Sequence, residues 1–229
     1  MPLSIPENLE KVRFRISQFS TKYGRTEPPV QLIAVSKTHG PEKIRQAWQA
    51  GQTAFGENYL QEALDKQQAL ADLDITWHFI GPIQSNKTRD IAENFQWVHS
   101  VDREKIGRRL NDQRPAHLPP LNILLQVNIS HESSKSGVSE EELQTLADTI
   151  AGMPNLLLSG LMTIPAPVQD FDEQRQQFKR LRQARDLLVS KGHDTCRHLS
   201  MGMSSDFEAA IAEGATMVRI GTDIFGARE

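Results

Sequence analysis

The sequence predicts an α/β fold: a single (β/α)₈ TIM-type barrel with an extra N-terminal helix. Three observations point to it. Strand-like and helix-like segments alternate along the whole chain, which favours a parallel sheet wrapped by helices. Several of the strand-like runs are almost continuously apolar, as strands covered on both faces are. The 229 residues lie close to the about 250 that one such barrel takes.

The extra helix comes first, with Leu9, Val12, Ile16 and Phe19 on one face. A strand at Leu32–Lys37 leads to a helix at Pro41–Ala50 that Gly51 closes. A strand at Thr53–Gly56 precedes a helix near Tyr59–Leu70, and a strand at Trp77–Gly81 precedes one at about Asn86–Glu93. A strand at Trp97–Val101 leads to a helix for which Asp102 is the candidate cap. Leu121–Ile129 is the fifth strand. Ser139 and Glu142 then suggest a capping box, with Val138 and Leu143 as a staple. Leu156–Met162 is a strand and Phe171–Val189 a long helix. His198–Ser200 ends a short strand, and Ser205 with Glu208 suggests a cap for a helix that stops at Gly214. Met217–Ile220 is the eighth strand, followed by a short helix. A faint echo, Ala50-Gly51-x-Thr53 against Glu213-Gly214-x-Thr216, fits a repeated unit. No linker or low-complexity tract divides the chain, so residues 1–229 read as one domain.

Composition narrows the function. Hydrophobic residues make up 38% and charged residues 24%, an ordinary globular mix. With 26 basic and 29 acidic side chains the net charge is −3, which gives no footprint for nucleic acid or an acidic membrane. Arg180, Arg182 and Arg185 read as a solvated helix face. Cys196 is the one cysteine, so an internal disulfide is excluded and no zinc spacing exists. Neither a signal peptide nor a membrane span is visible. A cytoplasmic protein, partnering neither nucleic acid nor membrane, is expected.

In such barrels chemistry sits at the carboxyl ends of the strands. Lys37 stands there, on the face of Ile33 and Val35. A partly desolvated amine at the barrel mouth would form a Schiff base with an aldehyde, whereas a solvated lysine would do nothing. The segment Ser200–Ser204 after the seventh strand, and Gly221-Thr222 after the eighth, each open a helix. Helix starts bind phosphate, and these two ordinal positions are where barrels often hold one. The alternative is that Ser204 and Thr222 are plain caps. Arg219 interrupts an apolar strand and requires a partner, either a barrel carboxylate or a ligand. Asn58 reads as a ligand contact or a cap, and His78 as a satisfied core histidine. Gln84–Lys87 reads as a cap or an anion contact, and the Ser133–Gly137 stretch as a lid or a plain loop.

Taken together, AVSK (34–37), FGENY (55–59), WHFIGPIQSNK (77–87), SKSG (134–137), GLMTI (160–164), LSMGMSSDFEAAI (199–211) and VRIGTDIFGAR (218–228) resemble the pyridoxal phosphate homeostasis protein family. These segments span nearly the whole chain. The resemblance implies a barrel like the N-terminal domain of alanine racemase, with pyridoxal 5′-phosphate (PLP) as cofactor, held as a Schiff base on Lys37. It implies Arg219 near the pyridine nitrogen, Asn58 beside the cofactor, and phosphate contacts from Ser200, Met203, Ser204, Gly221 and Thr222; Lys135 lies in a family loop that would offer a second PLP contact. It implies an intracellular carrier, buffer or regulator of PLP, expected to be a monomer with PLP-dependent apo-enzymes as recipients, and no established catalytic reaction.

The alternative is a PLP-dependent amino-acid racemase or decarboxylase of the same barrel type. Racemisation needs a proton donor and acceptor on opposite faces of the α-carbon. The chain has two tyrosines, Tyr23 and Tyr59, and Tyr59 is the candidate second group. A third reading, a sugar-phosphate isomerase or aldolase, would use Lys37 with Glu57 as acid/base.

Overall fold

The structure, a computed structural model, describes residues 4–130 and 136–226. Its elements run α1 (Ile5–Lys22), β1 (Gln31–Val35), α2 (Pro41–Gln49), β2 (Ala54–Glu57), α3 (Leu60–Ala69), β3 (Thr76–Phe79), a 3₁₀ turn (Ser85–Lys87), α4 (Thr88–Asn94), β4 (Trp97–Val101), α5 (Glu104–Gln113) and β5 (Leu121–Gln126). They continue with α6 (Glu140–Ala151), β6 (Leu156–Met162), α7 (Phe171–Ser190), β7 (His198–Ser200), α8 (Phe207–Ala212), β8 (Met217–Ile220) and α9 (Thr222–Phe225). The strands form a closed parallel barrel in sequence order. Closure comes from β1 against β8, Gln31 opposite Met217 through Ala34 opposite Ile220. The expected (β/α)₈ barrel with its extra N-terminal helix is what the chain forms.

The pleat sorts the strand residues into two cores. Ile33, Ala54, Leu124, Met162 and Met217 point inward and form an apolar plug. Their neighbours, such as Leu32, Ala34, Ile123 and Leu125, point outward and pack under the helices. The helices supply the matching stripes: Leu9, Val12 and Ile16 on α1, Leu143, Leu146, Ala147 and Ile150 on α6. The repeat echo has a common geometry. Gly51 and Gly214 have φ of 81° and 93°. Each lets the next amide reach back to a carbonyl five residues earlier, Gln52 to Ala47 and Ala215 to Ala210, which closes helices α2 and α8 in the same way.

Several boundaries and caps differ from expectation. β1 ends at Val35, because the chain turns there: the His39 amide bonds the Ser36 carbonyl and Thr38 has φ 67°. β5 stops at Gln126; the Val127 amide still donates to the Met162 carbonyl, but the bridge partner of Val127 is Val138, outside the barrel strands. Asp102 does not cap α5. Its carboxylate pairs with Arg103 at 2.6 Å, and Arg103 occupies the cap position. Ser205 does not cap α8 either. Asp206 takes that position without a side-chain cap bond, and the Glu208 carboxylate is drawn to Lys22 and Tyr23. Ser139 does cap α6, accepting from the Glu142 amide at 3.2 Å, between buried Val138 and Leu143. The three arginines of α7 are not a free solvated face. Arg180 and Arg182 pair with Glu140 and Glu213, and Arg185 bonds Asp186 and the Arg197 carbonyl.

Candidate functional site

Above the apolar plug, at the carboxyl ends of the strands, a cavity of about 360 Å³ opens, within the roughly 300–1,000 Å³ usual for small-molecule sites. Of the residues singled out in the sequence, Lys37, Asn58, Met203, Ser204, Arg219, Gly221 and Thr222 line it, together with Val35, His39 and Ile80. Ser200 does not. Its side chain is fully buried inside the barrel. Tyr59 is half exposed at the start of α3 and lies outside the lining. Lys135 and Ser133–Ser134 fall outside the described residues. A wider cavity of about 500 Å³ sits at the opposite end, beside Arg13, Ser17 and Gln52. That end of a barrel serves stability rather than chemistry.

Lys37 is half-buried, two residues beyond β1, and its neighbours are pinned from below. The Ser36 hydroxyl donates to Glu57 Oε1 at 2.5 Å. The Thr38 amide donates to Glu62 Oε1 at 2.6 Å. Lys66 Nζ joins the two carboxylates, 2.8 Å from Glu57, and also donates to the Ser36 carbonyl. Glu57 and Lys66 are both buried. Burial pushes the Glu57 carboxyl above its ordinary range, and Lys66 pulls it part of the way back. Glu57 is therefore committed to this cluster and does not line the cavity, which removes it as an acid/base group for the aldolase reading.

The opposite wall is made of backbone. Gly202, at φ 95°, folds the segment after β7 so closely that a Cβ there would come within 2.6 Å of Ala210 Cβ. The Gly202 carbonyl accepts from the Arg219 amide, which ties this loop to β8. At Gly221 a Cβ would stand 2.9 Å from the Val35 carbonyl oxygen, so β8 can approach β1 there only without a side chain. Among the described residues, the amides of Ser204, Ser205 and Thr222 donate to no protein acceptor. Neither Ser204 nor Thr222 serves as a cap, since those positions belong to Asp206 and Gly221. Amides that face a cavity without an acceptor suit an anion.

Arg219 forms the floor. It is buried, donating through Nη1 to Ser200 Oγ at 2.7 Å and through Nη2 to the Thr163 carbonyl at 2.9 Å. No carboxylate pairs with it within the described residues. Burial lowers its pKa to about 10, against a small upward pull from Asp206, so it remains a cation at neutral pH. Behind Ser200 lie His99 and His78. His99 Nδ1 is 2.9 Å from Ser200 Oγ, and His99 Nε2 is 2.9 Å from His78 Nδ1. His78 is thus only partly satisfied: its Nε2 has no partner among the described residues. Burial, with a smaller push from His198, drives His78 down to about 3, and burial with His78 and Arg219 holds His99 well below its ordinary value.

The sequence reading missed His99, Thr163 and the Glu57–Lys66 pair. The signal for His99 was present, a histidine at an inward position of a buried strand, Trp97-Val98-His99-Ser100-Val101. Lys66 had none, because it sits among polar helix residues.

The model of the family described as alanine racemase, N-terminal domain, matches residues 8–229. The pyridoxal phosphate homeostasis protein of Pseudomonas aeruginosa is 58% identical over 226 residues, covering 99% of this chain and 96% of that protein. The protein of the same name from Escherichia coli K12 is 51% identical, covering 98% of this chain and 97% of that one. PipY of Synechococcus elongatus, solved with PLP bound, is 36% identical with a TM-score of 0.85, covering 97% of this chain and 100% of that chain. Alanine racemase of Corynebacterium glutamicum shares the fold, with a TM-score of 0.70 at 19% identity, covering 98% of this chain and 61% of its own.

Proposed function

Because the chain belongs to the pyridoxal phosphate homeostasis protein family, we propose that it binds PLP in the cavity at the carboxyl end of the barrel and acts in intracellular PLP homeostasis, as a carrier, buffer or regulator. The observation that carries the reading is the convergence of three unlike groups on one cavity: the Lys37 amine, acceptor-less amides at Ser204, Ser205 and Thr222, and the Arg219 cation. PLP offers an aldehyde, a phosphate and a pyridine nitrogen, one for each. The missing side chain at Gly221 lets β8 close on the Val35 carbonyl, which brings the Thr222 amide to the end of β8 beside β1.

In this reading Lys37 Nζ holds the ligand covalently as a Schiff base, and the loop amides with Met203, Ser204, Gly221 and Thr222 grip its phosphate. Asn58 lies alongside, and Ser200 acts through Arg219. When bound, PLP supplies an electron sink for amino-acid chemistry, and its strength depends on ring-nitrogen protonation. A permanent arginine cation beneath that nitrogen disfavours protonation and so weakens the sink. This favours storage and delivery over racemisation or decarboxylation. PLP-dependent apo-enzymes are the proposed recipients, and the proposed setting is the cytoplasm. Among the described residues no helix is long and apolar enough to cross a membrane.

Borohydride reduction of the PLP-loaded protein followed by peptide mapping tests the assignment. Label is expected on Lys37 and none in Lys37→Ala, with the barrel still folded by circular dichroism. Label on another lysine with Lys37 unmodified overturns it.

A further inference from the structure

We propose that Ser200, His99 and His78 are positioning residues: they form a hydrogen-bond relay of fixed direction that locks Arg219 as a donor beneath the ligand. The part played toward the ligand rests on the function proposed above; the direction of the relay does not.

Donor counting sets that direction. Arginine can only donate, so Ser200 Oγ accepts from Arg219 Nη1. The Ser200 proton then has two possible fates. In the forward arrangement it goes to His99 Nδ1, His99 Nε2–H donates to His78 Nδ1, and His78 carries its proton on Nε2. One buried donor, His78 Nε2–H, is left over. In the reverse arrangement His99 Nδ1–H donates to Ser200 and His78 Nδ1–H to His99. The Ser200 hydroxyl then has no acceptor among the described residues, and the His78 Nε2 lone pair is also stranded. That is two unmet groups instead of one, each costly when buried.

Electrostatics selects the same arrangement. Forward, both imidazoles turn acceptor lone pairs toward the guanidinium; reversed, they aim N–H groups at it. A third state, with either ring charged, would bury a second cation beside Arg219 and close to His198. The surroundings oppose it: both histidines are fully buried, with no carboxylate bonded to either among the described residues. Asp206, the one carboxylate acting on Arg219, makes its bond to the Met203 amide at 2.6 Å and reaches neither histidine.

The relay therefore makes Ser200 an acceptor toward Arg219 in every populated state. Together with the Thr163 carbonyl, it fixes the plane of the guanidinium. No group in the relay can take a proton from Arg219 or resupply one to it.

Two measurements test this. The first uses the full-length protein without PLP, labelled with ¹⁵N-histidine. Long-range ¹⁵N–¹H spectra are expected to show His78 and His99 as Nε2–H tautomers, unchanged from about pH 5.5 to 9, where a free imidazole would titrate. A Nδ1-protonated His99, or an imidazolium at either site, overturns the proposal whether or not the protein binds PLP. The second compares variants. Glutamine carries an acceptor and a donor that can replace both ring nitrogens; leucine fills similar space with neither. His99→Gln is expected to keep the PLP dissociation constant and visible absorption maximum of the parent. His99→Leu is expected to weaken binding about tenfold and shift the maximum, because the buried Ser200 proton loses its acceptor and the hydroxyl that holds Arg219 is no longer fixed. Should His99→Leu not fold, Ser200→Ala against Ser200→Thr makes the same comparison. If the apolar variant matches the parent and the polar one does not, the residues serve packing and the relay is refuted. If the parent itself takes up no PLP, the function proposed above fails, and the tautomer measurement still decides the relay.

Discussion

Replacing Lys66 with methionine removes the cation at the centre of the cluster beneath Lys37 while nearly conserving volume. Lys66 Nζ stands 2.8 Å from Glu57 Oε1 and 2.8 Å from the Ser36 carbonyl, and it also bonds Glu62. Without it, Glu57 keeps only the Ser36 hydroxyl, and its Oε2 already lacks a partner. Stranding one member of a buried pair costs about 3–5 kcal/mol. Glu62 is partly exposed, so its share is small. For a chain of this size the loss corresponds to a fall in Tm of roughly 10 °C. The cost depends on pH with a definite sign. Burial already holds the Glu57 carboxyl above its ordinary value of 4.5, and losing Lys66 raises it further. A carboxyl raised by folding contributes fully below its unfolded value and loses that contribution as pH rises through the folded one. The deficit of Lys66→Met should therefore be larger at about pH 8 than at about pH 5. Urea unfolding of the ligand-free protein at both values measures it, with Glu57→Gln/Lys66→Met expected to recover most of the loss. A deficit below about 1 kcal/mol at the higher pH, or a double variant no better than the single one, would refute the buried-pair account.

Gly202→Ala should cost more than about 2 kcal/mol in denaturant titrations, since the new Cβ meets Ala210 and Phe207 at a positive φ; a neutral result would mean the loop can shift freely. Thr222→Ala should speed PLP release only about two- to tenfold in stopped-flow transfer to an apo-enzyme, because the backbone amide stays in place; an unchanged rate would show that the hydroxyl contributes nothing. Cys196 is fully buried with its thiol pushed up to about 12 by burial, so it should resist thiol reagents in the native protein and react on unfolding; fast native labelling would contradict that placement.

The barrel was readable in the sequence because its strands are apolar on both faces and its helices carry clean stripes, such as Leu143, Leu146, Ala147 and Ile150 on α6. The cavity residues were readable for a different reason: they sit at strand ends, where fold alone says chemistry belongs. The caps were less legible. Asp102 and Ser205 have suitable side chains, but competing partners decide where acids go: the adjacent Arg103 takes Asp102, while the distant Lys22 and Tyr23 draw away the Glu208 that Ser205 would need. Ser200 shows the same limit. Its motif marks the loop as part of the site, but only the pleat of β7 sends its hydroxyl inward to Arg219 and His99 rather than out to the cavity. The Glu57–Lys66 pair joins a strand to a helix face, and nothing local in either segment announces it.

The first helix also bears on how the site works. Asn8 donates to the Ile224 carbonyl at 3.0 Å, Arg15 pairs with Asp223 at 3.1 Å, and the same arginine lies 4.5 Å over the Phe207 ring. No residue of α1 lines the cavity at the strand ends, yet α1 braces α8 and α9, the short helices that follow the two segments proposed to hold the phosphate. It is a handle on the outside of the barrel. Whatever shifts α1 is therefore felt at the loops after β7 and β8, although the helix itself never touches the cavity.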